Sequence, residues 1–309
     1  MESRLNDVAI VGGGAAGLSA ALVLGRARRR VVVIDAGAPR NAPAEHMQGF
    51  LSRDGMPPSE LLRIARDEVR GYGVEIVEDF VIDAGPEFVL RLGSGRTIEA
   101  RHVLLATGAV DQLPDIDGAR ERWGRDFLHC PYCHGWEVRD QPLGVLGTGP
   151  GSVDHAQLLR QWSEDVTLFS HVLELSEDER SALAARGVGV VDGVVKRFVI
   201  VDDRLQAVEL ADGRTFPRVA IFIRPTLRPH EGGLAAALGC ELLEDGLLRV
   251  DAAGQTSVPG VWAAGNAANA KAQVISAAGE GAAVAIAINT TLVNQDFAAE
   301  VERLAASAA

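Results

Sequence analysis

Short apolar runs, each closed by glycines and followed by a segment of helical character, recur along the chain and predict βαβ units. Residues 8–11 are the first such run, ending in Gly12-Gly13-Gly14-Ala15-Ala16-Gly17. Residues 18–26, rich in Ala and Leu, follow as a helix, and residues 31–34 as a second strand closed by Asp35. A unit of about thirty residues is the size that a dinucleotide-binding fingerprint requires. Residues 39–55 have loop character and 58–72 the pattern of an amphipathic helix. Short strands are expected over 74–78, 80–82, 88–92 and 97–100, then a buried strand over 103–106 that opens into Thr107-Gly108-Ala109.

The pattern then begins again. Residues 142–146 are strand-like and run into Gly147-Thr148-Gly149-Pro150-Gly151-Ser152, with a helix expected over 153–163 and a strand over 165–169. The two glycine turns lie roughly 135 residues apart, an internal repeat at domain scale rather than a solenoid period. Strands over 188–191, 198–201, 207–210 and 220–223 complete the second unit, and Pro225, Pro229 and Gly232-Gly233 mark a return crossing. A last strand over 261–264 leads through Gly265-Asn266 into an Ala-rich helix over about 273–293. The expected fold is α/β, with two Rossmann-like dinucleotide-binding domains of three-layer ββα build, the second inserted in the first.

Composition narrows the function classes. A length of 309 residues suits two domains, and 47% apolar with 23% charged residues is the balance of a folded globular protein. Acids outnumber bases 42 to 30, for a formal charge of −12, which argues against a nucleic-acid partner. The run Arg26 to Arg30 is the main basic cluster, and a solvated helix end is its simplest reading. No apolar stretch approaches the roughly 20 residues that span a bilayer, so no membrane role is expected. The polar N-terminal residues run directly into a strand without a signal peptide, which makes the cytoplasm the default location. Three cysteines are too few for a disulfide framework.

Each glycine of the first turn has a physical role. Gly12 makes the tight turn, Gly14 lets a pyrophosphate approach the backbone, and Gly17 lets the helix pack closely on the strand. The helix start at Ala15 and Ala16 offers free N–H groups and a positive dipole end to the diphosphate. Asp35 is placed to accept hydrogen bonds from an adenosine ribose. The second turn keeps Gly147 and Gly149 but has Ser152 in the third position. Its following strand ends in Phe169-Ser170-His171-Val172, without the acid that would favour NADH or the arginines that would favour NADPH. The fold is expected to persist there while nicotinamide recognition is weak or lost.

Cys130 and Cys133 form a Cys-x-x-Cys pair flanked by His129 and His134. A dithiol at this spacing closes a disulfide with little strain, and a cysteine at a helix start gains a lowered thiol pKa. Imidazole has the intrinsic pKa to take protons from thiols near neutrality. Zinc is disfavoured, since no second Cys or His pair lies at ligand spacing. Cys240, in an Ala-Leu-Gly context, is most simply a small buried hydrophobe.

These motifs, in this order, resemble the low-molecular-weight thioredoxin reductase family nearly end to end. The resemblance rests on Gly12 to Gly17 with Asp35, on Ala106-Thr107-Gly108-Ala109, on a Cys-x-x-Cys just before a second βαβ unit, and on the segment from Thr256 to Gly265. It implies a homodimer and FAD held by the outer segments. It also implies three stretches: residues 1–116 and 227–309 for the FAD domain, and 117–226 for an inserted NAD(P)-type domain carrying the cysteines. By position, Cys133 resembles the flavin-facing cysteine and Cys130 the one that exchanges with outside substrate. Gln273, with Val274 beside it, matches the family's flavin-contacting glutamine.

Three departures stand out. His134 replaces the family's acid after the second cysteine, Asn266 replaces the Asp of the C-terminal Gly-Asp, and Ala272 replaces an Arg beside Gln273. Together with the missing basic strand end, they resemble the branch of dithiol oxidases in holomycin- and gliotoxin-type biosynthesis. That branch implies a small-molecule dithiol as reductant and O2 as final acceptor, giving H2O2, with His129 and His134 as candidate proton acceptors. Two other readings stay open. One is an NAD(P)H-dependent disulfide reductase serving a thioredoxin-like protein; the other is a non-enzymatic flavin redox sensor. The loop over 46–55 is equally a connecting loop or a recognition element.

Overall fold

The computed structural model describes residues 5–230 and 233–308. Residues 1–4, in the polar lead before the first strand, and Gly232 of the return crossing lie outside the described residues. The chain divides into two compact units: Met1–Ala42, Pro58–Val110 and Leu227–Ala309 make the first, and Pro43–Pro57 with Asp111–Thr226 the second. The boundaries differ from the expected 1–116, 117–226 and 227–309 in two segments. Residues 43–57 belong to the second unit because Gly124 packs on them: a Cβ at Gly124 would lie 2.9 Å from that of Pro43. Residues 111–116 belong there because Leu113 and Ile116 pack into the core around Phe127 and Phe198.

In the first unit, Val31–Asp35, Asn6–Val11, Thr97–Leu105 and Val261–Ala263 are adjacent parallel strands, with Glu75–Glu78 at the outer edge of Val31–Asp35. Val8 and Ile10 point to one face, where they pack with Leu18, Ala21 and Leu24 of the helix Ala15–Arg26. Ala9 and Val11 point to the other, against Leu90, Leu92 and Ile98 of an antiparallel meander formed by Val81–Gly85, Val89–Leu92 and Thr97–Leu105. This period-2 alternation in a strand covered on both faces creates the three layers. Residues 97–100 and 103–106, expected as two strands, are one. His102 had interrupted the apolar run, yet it is buried and accepts the indole N–H of Trp262 through Nδ1 at 3.1 Å.

The second unit repeats the plan. Val188–Val191, Val166–Phe169, Leu143–Leu146, Ala220–Phe222 and Phe127–Leu128 form a parallel sheet in that order. Phe127, Leu146, Phe169 and Ile221 meet Phe198, Leu205 and Val208 of a second antiparallel meander, Val195–Val201, Arg204–Leu210 and Thr215–Pro217, on one face. Leu128, Val145, Leu168 and Phe222 meet Val153, Ala156 and Leu159 of the helix Gly151–Leu159 on the other. The helix Glu177–Ala185 was not expected; it starts with a capping box in which Ser176 and Glu179 satisfy each other's backbone N–H groups.

The C-terminal helix runs over Val274–Ala308, well past the expected end near 293. Arg29 anchors it, with Nε donating to Asn289 Oδ1 at 2.8 Å and Nη1 paired with Asp296 at 2.7 Å; Arg101 also pairs with Asp296 at 2.7 Å. Arg29 is therefore a tie inside the first unit rather than a solvated end, its side chain only 15% exposed. By length and composition, Val274–Ser307 is also apolar enough to cross a membrane, contrary to the expectation from the sequence. Val284, Ala285, Ile288 and Leu292 of that segment sit in the core with Leu18, Leu24 and Trp262.

Candidate functional site

The first glycine turn is shaped from within for a ligand. Gly12 has φ +110°, and a side chain there would collide with the Ala106 carbonyl oxygen. A Cβ at Gly17 would collide with the Gly12 carbonyl, so strand and helix touch backbone to backbone. Gly14, by contrast, has nothing within 4 Å of its missing Cβ. A glycine needed neither for packing nor for a positive φ, on a helix start with open space in front, leaves room for a pyrophosphate to reach the backbone. Ala16 and Ala109 are buried, while Ala15, Thr107 and Gly108 remain partly exposed along the same opening.

Asp35 ends the second strand with its carboxylate engaged. Its Oδ1 accepts N–H groups from Gly13 at 3.1 Å and Gly37 at 3.3 Å, and Oδ2 pairs with Arg66 of the helix Pro58–Arg70. An ionised carboxylate has about four acceptor positions, so a ribose hydroxyl can still be accommodated. Gly13 is required here, because a Cβ would lie 2.5 Å from Asp35 Oδ2.

At the far end of the same unit, Gly265 has φ +68° and donates its N–H to Glu280 Oε2 at 2.9 Å. The other Glu280 oxygen accepts Asn269 Nδ2 at 2.6 Å. Asn266 accepts Arg40 Nη1 at 3.1 Å and donates to the carbonyls of Asn269 at 2.9 Å and Ala272 at 3.1 Å. The Asn that replaces an Asp thus has its amide committed to shaping this turn. Gln273 and Val274, both partly buried, open the C-terminal helix directly afterwards. Arg40, Arg66 and Glu280 were not singled out from the sequence, since lone charged residues carry no local pattern that announces a distant partner.

The second glycine turn is intact as backbone. A Cβ at Gly147 would collide with the Ser170 carbonyl, while Gly149 has nothing within 4 Å. Ser152, in the third position, is buried and its Oγ accepts the Thr148 N–H at 3.2 Å. At the strand end, His171 has φ +50° and its Nδ1 accepts the Val195 N–H at 3.1 Å. Burial pushes the His171 imidazole below its ordinary pKa. The position that would read a ribose or its phosphate therefore holds a neutral ring bonded to the protein's own backbone.

In the same unit, Cys130 follows the strand Phe127–Leu128 and caps the single turn Pro131–His134. The two cysteines are joined as a disulfide with Cα atoms 5.2 Å apart. The Cys130 carbonyl accepts N–H groups from Cys133 and His134, each at 3.1 Å. Pro131 at the first helical position has the fixed φ that starts such a turn. His129 and His134 are both partly buried beside the pair. Burial holds His134 below the ordinary imidazole range, with Glu137 pulling weakly the other way. Tyr132, between the cysteines, is exposed and meets Trp162 edge-on with centroids 5.4 Å apart. Cys240, in the first unit, is buried with its thiol against Thr256 Oγ1 at 3.6 Å, and burial raises its pKa. It is the inert hydrophobe expected.

A family model described as pyridine nucleotide-disulphide oxidoreductase matches residues 6–282. Thioredoxin reductase tcpT of Claviceps purpurea (strain 20.1) is 35% identical over 281 residues, covering 85% of this chain and 87% of that protein. Thioredoxin reductase sirT of Leptosphaeria maculans is 32% identical over 316 residues, covering 95% and 96%. Among solved structures, that of HlmI superposes with a TM-score of 0.95 at 55% identity, covering 100% of this chain and 99% of that one. An oxidoreductase from Agrobacterium tumefaciens superposes with a TM-score of 0.89 at 37% identity, covering 94% and 99%.

Proposed function

Because the chain belongs to the pyridine nucleotide-disulphide oxidoreductase family, in its FAD-binding, thioredoxin reductase-like form, we propose that it is a dithiol oxidase closing a disulfide in a small natural-product dithiol. The observation that carries this reading is His171. A reductase needs a hydride donor, and here the residue that would select a pyridine nucleotide is neutral and accepts the Val195 N–H. The His-Cys-x-x-Cys-His arrangement supports the same direction, since oxidising a dithiol requires two protons to be removed.

The residues divide the work between sulfur exchange and proton removal. One substrate thiolate attacks Cys130 Sγ, the Cys130–Cys133 bond breaks, and Cys133 leaves as a thiolate. The second substrate thiolate attacks the substrate sulfur now bonded to Cys130. This releases Cys130 as a thiolate and the substrate as a cyclic disulfide. His129 and His134 take up the two thiol protons, and His134, held neutral by burial, is in the form that accepts one. Bound FAD supplies the acceptor for the electron pair left on the cysteines, with O2 as the terminal oxidant and H2O2 as product. Gly14, Asp35 and the Gly265–Asn266 turn would hold that cofactor.

We also assign the working form as a homodimer. The C-terminal helix exposes Ile286, Val293, Phe297, Val301 and Leu304, an apolar stripe suited to a second copy. A second reading, an NAD(P)H-dependent disulfide reductase, is favoured by the intact backbone of the second turn with its open Gly149 and by the names of two relatives. One experiment separates the two. Anaerobic NADPH or NADH should leave the flavin absorbance unchanged, while dithiothreitol should bleach it and, in air, drive oxygen uptake. Rapid bleaching by either nucleotide overturns the oxidase.

A further inference from the structure

The chain has only two tyrosines and four tryptophans, yet Tyr132, Trp136 and Trp162 belong to the disulfide turn or pack on it. Tyr132 lies between the cysteines, and Trp136 stands three residues after Cys133. Each of these two is 65% exposed. Aromatic side chains carry a large apolar area and are for the most part buried. Two of them left in solvent beside a reactive bond contribute little to folding and are free to contribute to binding.

Both exposed rings are held in place by neighbours. Trp162 is partly buried against the core residues Leu143, Val153 and Leu159, and Tyr132 meets it edge-on, with centroids 5.4 Å apart and planes at 88°. Gly135 lies against the same indole. Its backbone is ordinary helix, with φ −65°, but a Cβ there would lie 2.8 Å from the Trp162 ring. Glycine is needed at 135 so that the turn can rest on Trp162, not for its conformational freedom. Trp136 is fixed differently. The Arg139 guanidinium carbon lies 4.0 Å from the Trp136 ring centroid, and Nη1 donates to the Trp136 carbonyl at 2.6 Å. Rings already pinned in this way lose little freedom when a ligand settles on them.

We propose that Tyr132 and Trp136 are specificity-determining residues for the dithiol: they are the platform on which a flat, unsaturated ring bearing the two thiols lies while Cys130 is attacked. Such a ring gains from aromatic contacts beyond the area it buries, whereas a saturated open chain does not. Tyr132 sits between the two sulfurs in sequence, so a ring resting on it brings its own thiols to the bond they must open. Two side chains make a platform far smaller than the roughly 1,000 Å² that a protein partner needs, and the occupant is therefore a small molecule. This assignment rests on the dithiol oxidase reading and names the class of substrate for it.

The test compares two dithiols that close cyclic disulfides of the same ring size: 1,2-benzenedimethanethiol, which carries an aromatic ring, and dithiothreitol, which does not. With the holoenzyme in air, the ratio of their kcat/KM values in oxygen uptake should fall about 10-fold in Tyr132→Ala and in Trp136→Ala, the scale of one lost aromatic contact. Tyr132→Phe and Trp136→Phe keep a ring and should hold the ratio within about 3-fold of the parent. A ratio unchanged in both Ala variants, or restored by neither Phe variant, overturns the platform. Greater loss with reduced thioredoxin than with the arene dithiol assigns the rings to a protein partner and overturns it equally. Calorimetric titration of the oxidised holoenzyme with the cyclic disulfide of the arene dithiol needs neither oxygen nor turnover. Binding should weaken about 10-fold in each Ala variant. If the parent oxidises neither dithiol, the oxidase reading fails while this titration still decides the platform; equal binding by parent and Ala variants removes the platform alone.

Discussion

Arg66 pairs with Asp35 across the opening of the first glycine turn, on the carboxylate that also accepts the Gly13 and Gly37 N–H groups. The acid is thereby oriented before any ribose arrives. Asp35→Ala should weaken FAD affinity by about 10- to 100-fold, the range of a lost charge-assisted hydrogen bond. Arg66→Met should cost less, since the N–H groups still orient the acid. Fluorescence titration of the apoprotein with FAD measures both, and an Asp35→Ala protein that retains flavin normally would remove Asp35 from the cradle.

Cys133→Ser should purify yellow, because no residue of the first-unit cradle changes, yet dithiothreitol should no longer reduce its flavin. Stopped-flow absorbance under nitrogen decides the matter. Full reduction at the parent rate would exchange the roles assigned to the two cysteines.

The pH dependence of turnover follows from His134. Burial lowers its pKa, so the proton-accepting neutral form persists below the ordinary imidazole value of about 6.5. The acid limb of kcat/KM for a dithiol should therefore fall below pH 6.5. His134→Gln should lose roughly 100-fold in kcat, within the usual range for a general base. An acid limb above pH 7 contradicts this assignment.

Stability should also fall with acid. His102 accepts Trp262 Nε1–H through Nδ1 at 3.1 Å, and its Nε2 meets Gln295 Oε1 at 3.2 Å, so the ring is neutral in the folded chain. Burial is the main cause of its lowered pKa, and the guanidinium groups of Arg101 and Arg29 act in the same direction. His155 is lowered further, to about 4. A depressed histidine pKa means that the unfolded chain binds the proton more readily. The stabilisation is thus complete above the unfolded value near 6.5 and is lost as pH falls toward the folded value; for His155 the full loss is about 3 kcal/mol. Melting temperature should drop between pH 7 and pH 5, and His102→Gln should reduce that drop. A pH-independent melting temperature would show that these rings do not carry it.

The apolar stripe on the C-terminal helix gives an assembly prediction. Phe297→Glu places a charge in the middle of the exposed Val293–Val301 stretch and should shift the protein from dimer to monomer in light scattering. A parent protein that is monomeric at micromolar concentration would leave the stripe without this role.

What could be read from the sequence was whatever repeats at short range. Both glycine turns and their strands were legible, because a tight turn and a close helix approach leave no alternative to Gly12, Gly17 and Gly147. Elements without an apolar period were not. The helix Glu177–Ala185 buries only Leu183, and its one local sign was the Ser176–Glu179 capping pair. The last turns of the C-terminal helix are exposed and Ala-rich; they follow from helix propensity and from ties such as Arg29–Asp296, which no local pattern reveals. In the site, Cys130, Cys133 and the flanking histidines announced themselves by adjacency. Arg66 and Glu280 act across the fold, and their partners exist only once the sheets are formed.

The serine in the second glycine turn alters what that unit requires from outside. Ser152 accepts the Thr148 N–H on its hydroxyl oxygen, which ties the turn to the start of its own helix. On the dithiol oxidase reading proposed above, the half of the protein that carries the sulfur pair has no dinucleotide to wait for. Its readiness to react would then follow the supply of thiol substrate, independent of how reduced the surrounding nicotinamide pool happens to be.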